Sequence, residues 1–194
     1  MGAAVRACGG FPHHGTGEMF NEALGLPQLA ALLILIQRGL EELYSQHNTR
    51  RLVSQGATEA GREFYPVVAV THLGWVAAVG LLVPPQAQVY AAPIAAFLGL
   101  QLLRYWIIAS LGRYWTHRIL TLPGAPIVTR GPYRLLRHPN YAVTLAETLL
   151  LPLAFGEVAL GLIFAVLWGA VLQYKVVLED KALAPRRVLA GSPR

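Results

Sequence analysis

The chain of 194 residues has a single cysteine, Cys8. One thiol excludes an intrachain disulfide and any metal site built from several cysteines. Charge is scarce too: 13% of residues are charged, against about 25% in ordinary globular domains. The segment before residue 22 holds no apolar core of signal-peptide length. It also fails the myristoylation pattern, because Arg6 stands where Ser or Thr is needed, and the far end is no prenylation box. No glycine-rich phosphate loop and no G-x-S-x-G elbow occurs. His13, His14, His47, His72, His117 and His138 form neither a pair one helical turn apart nor a zinc-type cluster, so no metal is expected. Internal repeats and low-complexity tracts are missing as well.

What the chain does have is apolar surface. Hydrophobic residues make up 55% and the mean hydropathy is +0.46. A single soluble domain of this size cannot hide that much apolar surface. Disorder, a coiled coil and a collagen are excluded on the same numbers. The reading is an all-α integral membrane bundle.

A span needs about 20 mostly apolar residues. Five candidates are legible, at about 24–43, 64–83, 89–111, 141–155 and 158–178. Gln37 and Arg38 weaken the first, and the fourth is short. Pro84-Pro85 closes the second. Phe155-Gly156-Glu157 is a tight turn, so the last two spans should form an antiparallel helical hairpin. Residues 1–22 read as a loose tail in which Met19 is a possible start, 23–183 as one membrane-embedded domain, and 184–194 as a short tail. Arg38, Arg50, Arg51 and Arg62 lie at or after the end of the first span. Arg104, Arg113, Arg118, Arg130, Arg134 and Arg137 lie late in the third span or after it. Lys175, Lys181, Arg186, Arg187 and Arg194 lie at or after the end of the fifth. Only Arg6 falls on the other side. The positive-inside rule then puts the amino terminus outside and the carboxy terminus in the cytoplasm. The net charge of +6 follows this topology, which removes the case for nucleic acid as a partner.

Polar groups at membrane depth need a reason. His72 falls in the second span, Arg104 in the third and Glu147 in the fourth, with Lys175 and Glu179 at the end of the fifth. Arg104 and Lys175 can snorkel to the interface, and His72 can be a hydrogen-bonded packing residue. A buried Glu147 must be protonated, paired or facing an aqueous pocket. The densest polar stretch is 126–141. Gly131-Pro132 is a turn signal and Pro139 suits a first helical turn, which puts Arg137 and His138 at the mouth of the fourth helix. Asn140, Thr144 and Glu147 share one face of that helix, and Lys175 and Glu179 share one face of the fifth.

Gly131-Pro132-Tyr133, then Arg137-His138-Pro139-Asn140-Tyr141, then Glu179-Asp180 after the last span, resembles the isoprenylcysteine carboxyl methyltransferase family. The similarity runs over about 24–183 and is strongest from Leu103 onward. The segment 103–115 with 178–183 is similar to a bacterial branch that O-methylates phenolic lipids such as alkylresorcinols and alkylpyrones and is linked to type III polyketide synthases. The resemblance implies an integral membrane enzyme of the bacterial inner membrane that uses S-adenosylmethionine at the cytoplasmic face. Its implied acceptor is a lipophilic molecule in contact with membrane lipid, supplied by a polyketide synthase. By resemblance, Ile127, Val128, Tyr133, His138, Tyr141, Glu147 and Glu179 are cofactor-side positions, and Lys175 is substrate-facing. The best-known members carry Arg at that last position, and Lys cannot make the bidentate fork to a carboxylate. A phenolate needs only one positive point charge. Members usually also continue further beyond the acidic pair.

Methyl transfer from a sulfonium to an oxygen asks mainly for alignment and electrostatic support. Lys175 or Arg137 would favour a phenolate, since a free phenol has a pKa near 10. Glu147 or His138 would accept the proton. Arg137, Glu147 and Lys175 are therefore the expected catalytic residues. Phospholipid methyltransferases and nicotinamide-dependent sterol-type reductases look similar in this region and stand as the alternative. A non-catalytic membrane module would tolerate loss of Glu147, His138 and Glu179.

Overall fold

A computed structural model describes residues 24–189. Cys8, Met19 and most of the two expected tails lie outside the described residues. Among those described there are five α-helices: α1 Leu26–Ser54, α2 Tyr65–Leu82, α3 Ala91–Leu111, α4 Pro139–Leu153 and α5 Val158–Leu189. The all-α expectation needs one correction. Two short strands, β1 Thr58–Ala60 and β2 Ile119–Thr121, pair antiparallel, with Glu59 opposite Leu120. This ribbon ties the α1–α2 link to the α3–α4 link at one end of the bundle.

The bundle is inverted relative to a soluble protein. On α1, Leu40 is 63% exposed and Leu43 is 65% exposed, while Arg38 and Glu41 are 8% and 6% exposed. Apolar side chains out and charges in is the arrangement for a lipid solvent. Three stretches are long and apolar enough to cross a membrane: Arg62–Leu82, Ala91–Tyr114 and Val158–Arg186. The five-span count is narrowed accordingly. Helix α4 has 15 residues, about 22 Å of rise against a core of about 30 Å. Helix α1 is long, but its second half carries many polar residues, several of them facing inward. Helices α4 and α5 are in contact, joined by the turn at 154–157.

The inward face of α1 is Pro27, Ala31, Ile34, Arg38, Glu41, Ser45, Asn48 and Leu52. That alternation of four and three residues is a heptad seam. Its first half is apolar and joins Trp75, Val79, Phe97, Leu151 and Phe155 in the main apolar core. Gln28 seals that end. Its side-chain amide donates to the carbonyls of Gly80 and Val83 at 3.1 and 2.8 Å, meeting acceptors that the end of α2 leaves open. A proline in α4 is absorbed in a similar way. Pro152 has no amide to give the Thr148 carbonyl, and the Trp75 indole donates to that oxygen instead, at 3.1 Å.

The second half of the seam is polar. Arg38 donates to Glu41 at 2.9 Å and to Glu147 at 2.7 Å. Arg104 donates to Glu41 at 2.6 Å and reaches Glu147 at 3.5 Å. Two arginines and two glutamates thus close a neutral ring that ties α1, α3 and α4 together. Gln101 adds a donor to Glu147 at 2.8 Å, and Gln37 bridges Gln101 and Glu41.

Removing one member leaves a buried charge uncompensated. Arg104→Met should destabilise the fold by about 3–5 kcal/mol. The double variant Arg104→Met/Glu41→Leu should lose less than the single one. Denaturation in detergent reads both, and equal losses would refute the pairing.

Candidate functional site

The site is built where the polar half of the bundle meets the ribbon. The third helix ends at Gly112 (φ +51), and the chain passes between α1 and α5 as 112–118. Asn48 holds it by donating to the Trp115 carbonyl at 2.8 Å, Ser45 accepts from the His117 amide at 2.8 Å, and Lys175 donates to the His117 carbonyl at 2.8 Å. After β2 the chain runs out as 122–130 and turns at Gly131, whose φ is +58. A Cβ there would also lie 2.3 Å from the Ser110 hydroxyl. Both facts require glycine. Arg130 donates from Nε to the Ser110 carbonyl at 3.0 Å, which clips this corner to the end of α3. Pro132 and Tyr133 follow in a single tight turn, and Pro139 then opens α4.

These segments enclose a cavity of about 430 Å³, within the usual range for small-molecule sites. Its walls include Ile127, Val128, Tyr133, Arg137, Tyr141 and Glu179. All six are positions singled out from the sequence. The Tyr141 hydroxyl donates to Glu179. His138 stands behind this wall: its Nε2 meets Asp180 at 3.1 Å, its Nδ1 lies 3.5 Å from Glu179, and its ring stacks on Tyr141. Hydrogen bonding to Glu179 raises the His138 pKa above the ordinary imidazole value. Burial and then the Glu179 charge push the Tyr133 hydroxyl above the usual phenol range, so it stays a neutral donor.

A second cavity of about 290 Å³ lies inside the bundle, between α1, α2, α4 and α5. Leu35, Val68, Leu73, Trp168 and Leu172 give it a largely apolar wall. Lys175, 8% exposed, lines it. Its ammonium sits 5.2 Å from the centroid of the Tyr141 ring. Tyr141 lines both cavities. Lys175 and Glu179, one helical turn apart on α5, therefore face different chambers across one phenol.

Glu147 lies apart from both. It is 1% exposed, locked in the ion-pair ring, and on the wall of neither cavity. Sequence reading missed Glu41 and Glu42. Glu42 lines the apolar chamber, accepts from Tyr65 at 2.7 Å and pairs with His117 Nδ1 at 2.8 Å. The seam spacing from Ala31 to Leu52 was the available signal for Glu41. Arg186 falls in the expected short tail, but it lies within α5, lines the cavity of about 430 Å³ and donates to the Ala125 carbonyl at 2.8 Å. That bond pins the strap that carries Ile127 and Val128.

Inward charges, exposed apolar helix faces and three stretches long enough to span a bilayer define an integral membrane protein. Residues 93–185, from the first turn of α3 to a point within α5, match the isoprenylcysteine carboxyl methyltransferase (ICMT) family. The chain is also 34% identical over 159 residues to the uncharacterized protein YpbQ of Bacillus subtilis (strain 168), across 80% of this chain and 95% of that one. No solved structure matches it. The chain belongs to the ICMT family, whose members are membrane methyltransferases that use S-adenosylmethionine.

The His138 contacts have a pH signature. A pKa raised on folding gives stability that is complete below about pH 6.5 and lost as pH rises through the folded value. The melting-temperature gap between the wild type and His138→Phe, which keeps the stacking ring, should be widest near pH 5–6 and shrink towards about pH 9. A gap constant over that range would mean the imidazole charge plays no part.

Proposed function

We propose that this protein is an S-adenosylmethionine-dependent O-methyltransferase of the bacterial inner membrane. Its acceptor is a lipophilic molecule of the phenolic or pyrone lipid kind, the class of product a type III polyketide synthase supplies. The observation that carries this reading is the shared wall at Tyr141. A cavity with several charged groups on its wall and a largely apolar cavity meet at one residue, as transfer between a soluble donor and a lipid acceptor requires.

The residues of the cavity lined by Glu179 fit the cofactor. Glu179 and Tyr133 would receive its amine and hydroxyls, Arg137 its carboxylate, and Ile127 and Val128 its flat apolar part. When bound, it supplies a methyl group on a cationic sulfur for in-line displacement. On the other side of Tyr141, Lys175 offers a single buried positive charge to an acceptor oxygen and favours its ionised form. Glu147 is expected to hold Arg38 and Arg104 in place, because both its oxygens are engaged and it touches neither chamber. Glu42, with His117 at its side, takes the proton instead. The site end of the bundle carries the basic residues, and 63–103 and 138–174 hold no Lys or Arg. That asymmetry supports a cytoplasmic site and an external amino terminus.

Calorimetric titration of the detergent-purified protein tests the reading, with NADPH as control. S-adenosylmethionine should bind, and Glu179→Ala should abolish binding. Binding of NADPH alone would replace the proposal with a reductase. Lys175→Met should retain the cofactor and lower kcat about 100-fold; loss of cofactor binding instead would move Lys175 out of the acceptor chamber.

A further inference from the structure

The basic residues at the site end are not all alike. Arg113 and Arg130 line an open cleft of about 540 Å³ at the end of α3. Arg130 is fixed by its Nε bond to the Ser110 carbonyl, and its two terminal nitrogens donate to no protein group. Arg113 lies over the Tyr114 ring and donates to the Tyr114 hydroxyl at 2.9 Å. Thr129 adds a hydroxyl to the same wall. No carboxylate balances these charges. Residues 64–146 contain no Asp or Glu, and the described arginine ion pairs belong to Arg38, Arg104 and Arg118. Arg50 and Arg51 are exposed too, but they line none of the cavities described. The positive-inside rule accounts for the sign of all these charges. It does not account for two positioned guanidiniums and a hydroxyl on one concave wall, a donor set that suits phosphate oxygens.

The lipid-facing side of α3 leads up to this cleft. Leu98, Leu102, Trp106 and Ala109 are exposed and recur at four- and three-residue spacing, so they share one face that ends below Gly112 and Arg113. Leu102 is 75% exposed, and Tyr105 and Trp106 are each 54% exposed. Exposed aromatics near the end of an apolar helix mark headgroup level. A phosphate at that height belongs to a lipid whose chains have an apolar helix face beneath them. A zwitterionic headgroup would bring its own cation to the two guanidiniums, and an anionic one would not.

We propose that the cleft between the end of α3 and the 126–130 strap binds the phosphate of an anionic phospholipid from the leaflet on the site side. Arg113, Arg130 and Thr129 donate to its oxygens, and its chains lie along Leu102 and Leu98. The cleft shares no residue with the apolar chamber. This lipid is therefore a resident partner and not the methyl acceptor, and its site does not depend on which reaction the protein performs.

Tryptophan fluorescence reads this site. Trp75, Trp115 and Trp168 are at most 2% exposed, whereas Trp106 faces outward, so quenching by brominated acyl chains reports the lipid beside Trp106. The full chain is reconstituted in vesicles of phosphatidylcholine and phosphatidylglycerol in equal parts, with one or the other brominated. The wild type should favour phosphatidylglycerol by about fivefold or more, since one basic side chain near an anionic surface is worth about that factor. Arg113→Gln should lower the preference while leaving the Arg130 clip intact, and Arg113→Gln/Arg130→Gln should bring it close to unity. Arg50→Gln/Arg51→Gln removes the same charge from the same end of the bundle and should keep the preference. Equal quenching by both lipids in the wild type overturns the proposal without any variant. An equal loss in the Arg50/Arg51 pair overturns it in favour of a diffuse surface field. A preference erased by inorganic phosphate at constant ionic strength overturns it in favour of a free-anion site.

Discussion

The ring formed by Arg38, Glu41, Arg104 and Glu147 is the constraint on which the rest of the molecule depends. Each of these charges is nearly excluded from solvent, and burying any of them alone would be prohibitive. Together they are neutral, and each arginine touches both glutamates. The alignment of α1, α3 and α4 is therefore set by charge as well as by packing. Such a ring would add little to an ordinary apolar core, since buried pairs often break even against hydrophobic substitutes. In a bundle bathed in lipid it does more. Apolar side chains gain little by turning inward there, and a polar interior with every partner supplied fixes which helix faces meet.

The ring also divides the bundle into two functional halves. Beyond it lies the apolar core around Trp75 and Phe97. On the site side the seam stays polar through Ser45 and Asn48, and these hold the chain at 112–118 against α1. That segment in turn places His117 between Glu42 and the Lys175 ammonium. The geometry of the apolar chamber thus descends from the ring through a short series of hydrogen bonds. The cavity lined by Glu179 is organised separately, by Gly131 on the end of α3 and by Arg186 on the strap.

Much of this was legible in the sequence. The turn at Gly131-Pro132, the helix start at Pro139 and the faces of α4 and α5 all follow from local stereochemistry. They place Tyr133, Tyr141 and Glu179 on one cavity wall. Less legible was anything that depended on partners distant along the chain. Arg38 reads as a blemish on an apolar span because hydropathy averages over a helix, whereas the seam spacing puts charge and leucine on opposite faces. Glu147 reads as a site residue because a buried carboxylate must have a partner; only the fold reveals that the partners are Arg38 and Arg104. The β1–β2 ribbon escaped notice because each strand has three residues, too few for an alternating pattern to register. Helix α5 runs past the expected span end at 178 to Leu189, with Pro185 inside it, because hydropathy marks where the apolar run stops and not where the helix does.

The spacing of Lys175 and Glu179 ties these points together. Four residues along one helix are about 6 Å. With Lys175 over the Tyr141 ring and Glu179 at its hydroxyl, one α5 face serves two chambers of different character. Lysine suits its position better than arginine would. Its ammonium is a compact point charge with a carbonyl partner at His117, and it can meet a single oxygen arriving from an apolar cavity. A guanidinium there would need a planar, two-oxygen partner to satisfy its fork.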